Sequence, residues 1–350
     1  MPPTGDTTPW RVAEVAALRG DGLTARRHRE LPAKVVEEVR TEGRPDAHSV
    51  LETARTVVAL RQLSLRHPSA ATVLSACAML APDPFPLRAC VPALPAERKS
   101  GRLPRTRAAV AEALATLDRY ALAQARDGSL TLYPLTRVLL RGRSRRSYVD
   151  SHVPSVTDAE VRALLIAAAP GQVSDPATWP TWARLLPHLL AVDPAVLSDS
   201  RAHDVAREAC WYAMDRGDHC RALGRLDELH RIWSRELGLD HPDTWRTMTY
   251  LARAADAAGD PTRACSLAED VFARRRRVLG ADHPDTLLAA HGLASRWATA
   301  GRQRDALRLA EDVLARRTRL LGPGHPDTVA VRETAAVIKD TLNSRAESRP

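Results

Sequence analysis

One histidine, one aspartate and one threonine recur together three times in this sequence, as LGLDHPDT from Leu237, LGADHPDT from Leu279 and LGPGHPDT from Leu321. An imidazole beside a carboxylate and a hydroxyl is a set that acid–base catalysis or metal ligation uses. The spacing points elsewhere. His241, His283 and His325 stand at a constant interval of 42 residues, whereas a reaction needs one constellation; a fixed period in this range is the mark of stacked structural repeats. No HExxH string occurs, and His219 and His230 are too far apart to share a helical turn. Serine, cysteine and histidine form no recognisable nucleophile motif. The expectation is a protein that is not an enzyme and holds no cofactor and no metal.

Two other sets of reactive side chains carry a bland reading. The five cysteines (Cys77, Cys90, Cys210, Cys220 and Cys265) form no CxxC pair, so they are expected to be free thiols filling the core in a reducing compartment. Residues 98–146 hold 12 basic and 3 acidic side chains, a local net charge of +9 equal to that of the whole chain. Within this segment Arg137, Arg141, Arg143, Arg145 and Arg146 could supply salt-dependent phosphate contacts, which makes a DNA-binding regulator the alternative function; RGRSRRS reads equally well as a solvated linker. Lys34, Lys99 and Lys339 are the only lysines, and no GxxxxGK string occurs to cradle a nucleotide phosphate. ATP hydrolysis by this chain is therefore not expected.

The elements around the repeated string follow from its punctuation. Gly238, Gly280 and Gly322 each fall where a helix needs a glycine to end, and arginines 274–277 sit in the last turn before Gly280, where the helix dipole favours cations. Pro242, Pro284 and Pro326 suit the first position of a new helix, with an aspartate following in its first turn. Each new helix runs toward a second breaker, Gly259 or Gly301. A partner helix follows, with apolar residues at spacings of three and four: Ala264, Leu267, Ala268, Val271 and Phe272, then Ala306, Leu309, Ala310, Val313 and Leu314. Gly217 and Ala222 continue the period into a worn first unit. The count is that unit, two full units and a last helix from Pro326. Earlier, helices expected near Val57–Leu65, Ala71–Leu80 and Thr106–Tyr120 precede two short apolar runs joined by Asp127-Gly128, a hairpin signal.

These readings give a mostly α chain: an N-terminal segment (1–46), a helical domain of winged-helix order (47–146), a linker with connecting helices (147–198) and an α-solenoid of repeats (199–345). No apolar stretch is long enough to cross a membrane and no leader is evident, so a cytoplasmic location is expected.

The triple LGxxHPDT at constant spacing resembles the 42-residue tetratricopeptide repeat of kinesin light chains and of bacterial signalling proteins. The resemblance covers about residues 200–342 and implies a groove, lined by the first helix of each unit, that holds other proteins. Laying the groove positions on this sequence points to Arg246, Thr249, Arg253, Leu288, His291 and Ser295. The family's asparagine pair before Leu-Ala is replaced by Thr249-Tyr250 and His291-Gly292, so its amide clamp is missing. LRQLSLRHPSAATVLSACAMLAPDPFPL and the hairpin resemble the winged-helix region following the nucleotide-binding core of bacterial NB-ARC ATPases of the STAND class, and DPATWPTWARLLPHLLA (175–191) resembles the stretch such proteins carry just before their repeats, together covering about residues 50–191. That family's hairpin leads into a string close to His-Arg-Leu-Val-Gln; here it reads Tyr133-Pro134-Leu135-Thr136-Arg137, without the sensor histidine. The resemblance implies a signalling scaffold or adaptor, shaped like a STAND regulator without its ATPase.

Overall fold

The computed structural model describes residues 47–87, 103–104, 106–141 and 156–347. The readings of residues 1–46, Cys90, Arg143, Arg145 and Arg146 lie outside them. The chain divides into two compact units, Met1–Ala209 and Cys210–Pro350.

The described part of the first unit begins with α1 (Ala47–Arg66) and α2 (Pro68–Ala78). Pro68 starts α2 without wasting an amide that would lack a partner. Every residue of α2 from Ala70 to Ala78 is buried, which explains why its sequence is apolar all round rather than striped. Then come α3 (Arg107–Arg119), capped by the Thr106 hydroxyl accepting from the Ala109 amide, and the antiparallel strands β1 (Ala123–Arg126) and β2 (Ser129–Leu132). Asp127 and Gly128 both have positive φ, 50° and 74°, as the tight turns whose twist matches a hairpin require. The backbone amides of Phe85 and Leu130 each donate to the other's carbonyl at 2.9 Å, so the proline-broken stretch before α3 forms a third edge on the hairpin. A short helix, α4 (Pro134–Arg141), follows where the sequence showed only the start of a basic run. The described part of this unit continues with α5 (Asp158–Ala168), closed at its start by a Thr157–Glu160 capping box, and α6 (Trp179–Ala191).

The second unit is a solenoid of paired helices. The division between the units falls inside α7 (Ser200–Asp215); α8 (His219–Glu236), α9 (Pro242–Ala257), α10 (Pro261–Leu279), α11 (Pro284–Thr299), α12 (Gln303–Leu321) and α13 (Pro326–Glu347) follow. Successive helices share apolar cores: Trp245, Met248 and Val271 between α9 and α10; Leu287, Ala290, Val313 and Val331 across α11, α12 and α13; Ala294, Ala306, Ala310, Ala335 and Ile338 beyond. Burial of each large side chain here contributes about 1.5–3 kcal/mol. At positions Ala294 and Ala306 the small side chains let α11 and α12 approach closely. Where α11 buries Ala290, α13 carries the exposed Arg332.

Candidate functional site

The repeated string is where chemistry seemed available, and its geometry is structural. In each copy the histidine precedes the proline and caps the new helix: Nδ1 of His241, His283 and His325 accepts from the amide of Asp243, Asp285 and Asp327 at 3.1, 3.1 and 3.2 Å. An imidazole thus does the work usually given to a serine, threonine or aspartate side chain. Gly238, Gly280 and Gly322 have φ of 91°, 91° and 89°. For Gly280 ψ is 164°, so it does not take the left-handed helical conformation that a common helix stop suggests; it sits in an extended mirror region that only glycine occupies freely. Asp240 accepts from Arg274 and Arg277 at 3.4 and 2.6 Å, and one period later Asp282 accepts from Arg316 and Arg319, both at 2.8 Å. These guanidiniums, Arg316 first, hold the Asp282 carboxyl below the usual carboxylate range. The arginine run 274–277 is therefore divided by helical face between an ion-pair clasp outside and Arg275 inside.

Arg275 leads to the site. A cavity of about 240 Å³ opens between α9, α10 and α11. Arg246, Thr249 and Tyr250 of α9 form one wall and Leu288, Gly292 and Arg296 of α11 the other, with Ala268, Val271 and Arg275 of α10 at the base. Leu288 is 57% exposed and Arg275 only 8%. Arg275 donates from Nη1 to the Asp285 carbonyl at 3.1 Å, while its Nε is buried with no acceptor in the protein. Burial lowers its pKa, Asp285 opposing and the nearby Arg246 adding to the effect. Arg296 is tied to Asp256 at 2.9 Å and to the Gly292 carbonyl at 3.2 Å.

Of the six groove residues read from the sequence, Arg246, Thr249 and Leu288 come together at this cavity and the other three do not line it. The Arg253 guanidinium lies 3.7 Å above the Trp211 ring, which meets Tyr250 edge-on at 5.7 Å. His291 Nε2 and Thr334 Oγ1 are 2.9 Å apart, and burial lowers the imidazole pKa, with Arg317 adding to it and Asp327 opposing. The Ser295 hydroxyl donates to the His291 carbonyl at 3.1 Å. Sequence reasoning missed Tyr250, Arg275 and Arg296. Tyr250 directly follows Thr249 at the family's clamp position, which was a usable signal; nothing in the spacing singled out Arg275 from its three neighbours.

The basic run of the first unit is engaged inward as far as it is described. Arg141 donates to the Met79 and Leu80 carbonyls at 2.7 and 3.1 Å, closing the end of α2, and one Arg137 nitrogen is buried without a partner. Burial, chiefly, lowers the Arg137 pKa. Cys77, Cys210 and Cys265 are buried, but Cys220 is exposed: it stands on the outer side of the first turn of α8, which corrects its reading as a core filler.

Comparison with known proteins agrees with the repeat geometry. Residues 244–285 and 286–327 each match the tetratricopeptide repeat family, so this part of the chain is a tetratricopeptide repeat solenoid. Among solved structures the chain is similar to a Podosopora anserina protein described as kinesin light chain nearly identical TPR-like repeats, at 23% identity over 55% of this chain and 90% of that one, with a TM-score of 0.45. It is also similar to a glutamine-to-methionine variant of that protein, at 23% identity over 54% and 87%, with a TM-score of 0.41. No curated protein matches. Among the described residues no helix is long and apolar enough to cross a membrane.

Proposed function

We propose that this protein is a non-catalytic scaffold that holds other proteins on the face formed by the first helices of its repeats, α9, α11 and α13. The observation that carries this reading is the cavity at which Arg246, Thr249 and Leu288 meet. It is open, it combines exposed apolar surface with fixed cations, and it lies on the face where a repeat stack offers continuous surface to a partner. We read the scaffold as one that serves bacterial signalling in the cytoplasm, with the first unit as a packing module; what supports this reading is the resemblance of residues 50–191 to STAND regulators. The inward engagement of Arg137 and Arg141 gives the DNA-binding alternative no support.

The test compares proteins captured from the organism's own cell extract by the immobilised chain, by Leu288→Glu and by Arg308→Glu, whose side chain is 77% exposed and lies outside the cavity. A partner retained by the chain and by Arg308→Glu, but lost from Leu288→Glu, supports the reading. Identical capture by all three sinks it.

A further inference from the structure

Two positions distinguish the cavity between α9, α10 and α11 from the same place one unit later. Residues 42 apart occupy equivalent places, so the counterparts of Thr249 and Gly292 are His291 and Thr334. Those two meet between α11 and α13, with His291 Nε2 and Thr334 Oγ1 2.9 Å apart. In the first full unit the pair is a threonine and a glycine, and the place stays open with a volume of about 240 Å³. A Cβ built on Gly292 meets only Arg296 Nη1, at 3.4 Å, so the missing side chain is what keeps the space. Sites for whole small molecules run to about 300–1,000 Å³; this smaller one suits a single side chain of a partner.

The lining states what kind of side chain. Ala268, Val271, Leu288 and Ala289 supply apolar surface. Against it stands one donor at the base. Arg275 is 8% exposed; its Nη1 serves the Asp285 carbonyl at 3.1 Å, as Arg317 serves Asp327 at 2.8 Å one unit later, but its Nε–H is buried without an acceptor among the described residues, a costly condition. The remaining polar groups accept. The Thr249 hydroxyl gives its single hydrogen to the Trp245 carbonyl at 2.9 Å, so its oxygen can only accept from a guest, and Asp285 is the acid on the lining. Arg296 is held by Asp256 and the Gly292 carbonyl, and Arg246 has a partner of its own in the protein, so neither is an unpaired charge.

We infer that this cavity is a subsite for a neutral carboxamide, the side chain of a glutamine on the bound partner. Its carbonyl accepts the Arg275 Nε–H, its two amino hydrogens go to Thr249 Oγ1 and the Asp285 carboxylate, and its methylenes lie on the apolar lining. Glutamine is favoured over the shorter asparagine because the donor is at the base. A glutamate of the same shape turns its second oxygen toward groups that only accept, and a leucine leaves the Nε–H unserved; both penalties are ones that a site built for an amide exacts. The inference rests on reading this face as the binding surface.

The experiment titrates the full chain with N-acetylglutamine methylamide and, separately, with its N-acetylglutamate and N-acetylleucine analogues, all at matched ionic strength. The readout is the arginine Nε–H resonances in nitrogen-15 spectra. One resonance is expected to shift saturably with the glutamine probe, and the other two probes bind at least about fivefold more weakly, the scale of one hydrogen bond. Gly292→Thr, which installs the residue found at the equivalent place in α13, abolishes the shift. Thr249→Val keeps the shape, removes the acceptor and weakens binding at least about fivefold; it serves alone should Gly292→Thr fail to fold. No saturable shift with the glutamine probe, equal or tighter binding of either analogue, or an unchanged titration in the folded variants overturns the inference. Identical capture by the parent chain and Leu288→Glu with the glutamine response intact would refute the scaffold reading alone; capture lost from Leu288→Glu with no glutamine response would refute the carboxamide subsite alone.

Discussion

Replacing Gly280 with valine should destabilise the repeat region more than replacing His283 with alanine, although the histidine makes the visible hydrogen bond and the glycine makes no side-chain contact. A Cβ built on Gly280 meets nothing within 4 Å, so the whole cost of a side chain there is conformational. With φ at 91° and ψ at 164°, a residue other than glycine is strained by about 1–3 kcal/mol, and a β-branched one belongs at the upper end. His283→Ala removes the acceptor of one amide at an exposed helix start, where water replaces it, at a cost of about 1 kcal/mol. The expected difference is therefore about 1–2 kcal/mol in the glycine's disfavour. Urea melts followed by far-ultraviolet circular dichroism give the sizes. Hydrogen exchange across α10 to α12 locates the loss, which is needed because two units unfold in one chain. A Gly280→Val protein as stable as the parent would refute the conformational argument. A larger loss from His283→Ala would show that the imidazole does more than cap a helix.

Two further outcomes follow from buried titratable groups. His188 of α6 is fully buried, meets Phe85 edge-on at 5.2 Å, has no well-placed partner for either ring nitrogen, and burial lowers its pKa from 6.5 to about 4. The unfolded chain binds that proton first as pH falls, so stability is complete above about pH 6.5 and is lost down to about pH 4, by about 3 kcal/mol; His188→Leu should flatten this part of the pH dependence in parallel melts, and an unchanged slope would assign it to other groups. Native-state thiol labelling should modify Cys220 quickly and leave Cys77 and Cys210 protected until unfolding, since burial raises both of their pKa values to about 12; peptide mapping showing equal labelling of all three would contradict the described packing.

The sequence by itself determined the parts of this protein that depend on local backbone rules. A 42-residue period, a glycine where each helix stops and a proline where the next begins were enough to order α9 to α13, because positive φ and a missing amide are properties of single residues. Asp127-Gly128 announced its hairpin for the same reason. Of the six positions to which the family resemblance pointed, Arg246, Thr249 and Leu288 line one cavity, since residues at helical spacing share a face. What a long side chain does on that face is not local. Arg253 turns to Trp211, His291 to Thr334 and Arg141 to the end of α2, each choice set by a neighbour that the fold supplies. Arg246 and Arg275 lie on different helices, 29 positions apart, and only the stacking of α9 on α10 places two cations at one cavity. Cys220 and Arg275 show the limit from both sides. An apolar-sized thiol lies outside and a charged guanidinium lies within, because burial is decided by what packs against a position rather than by the residue that occupies it.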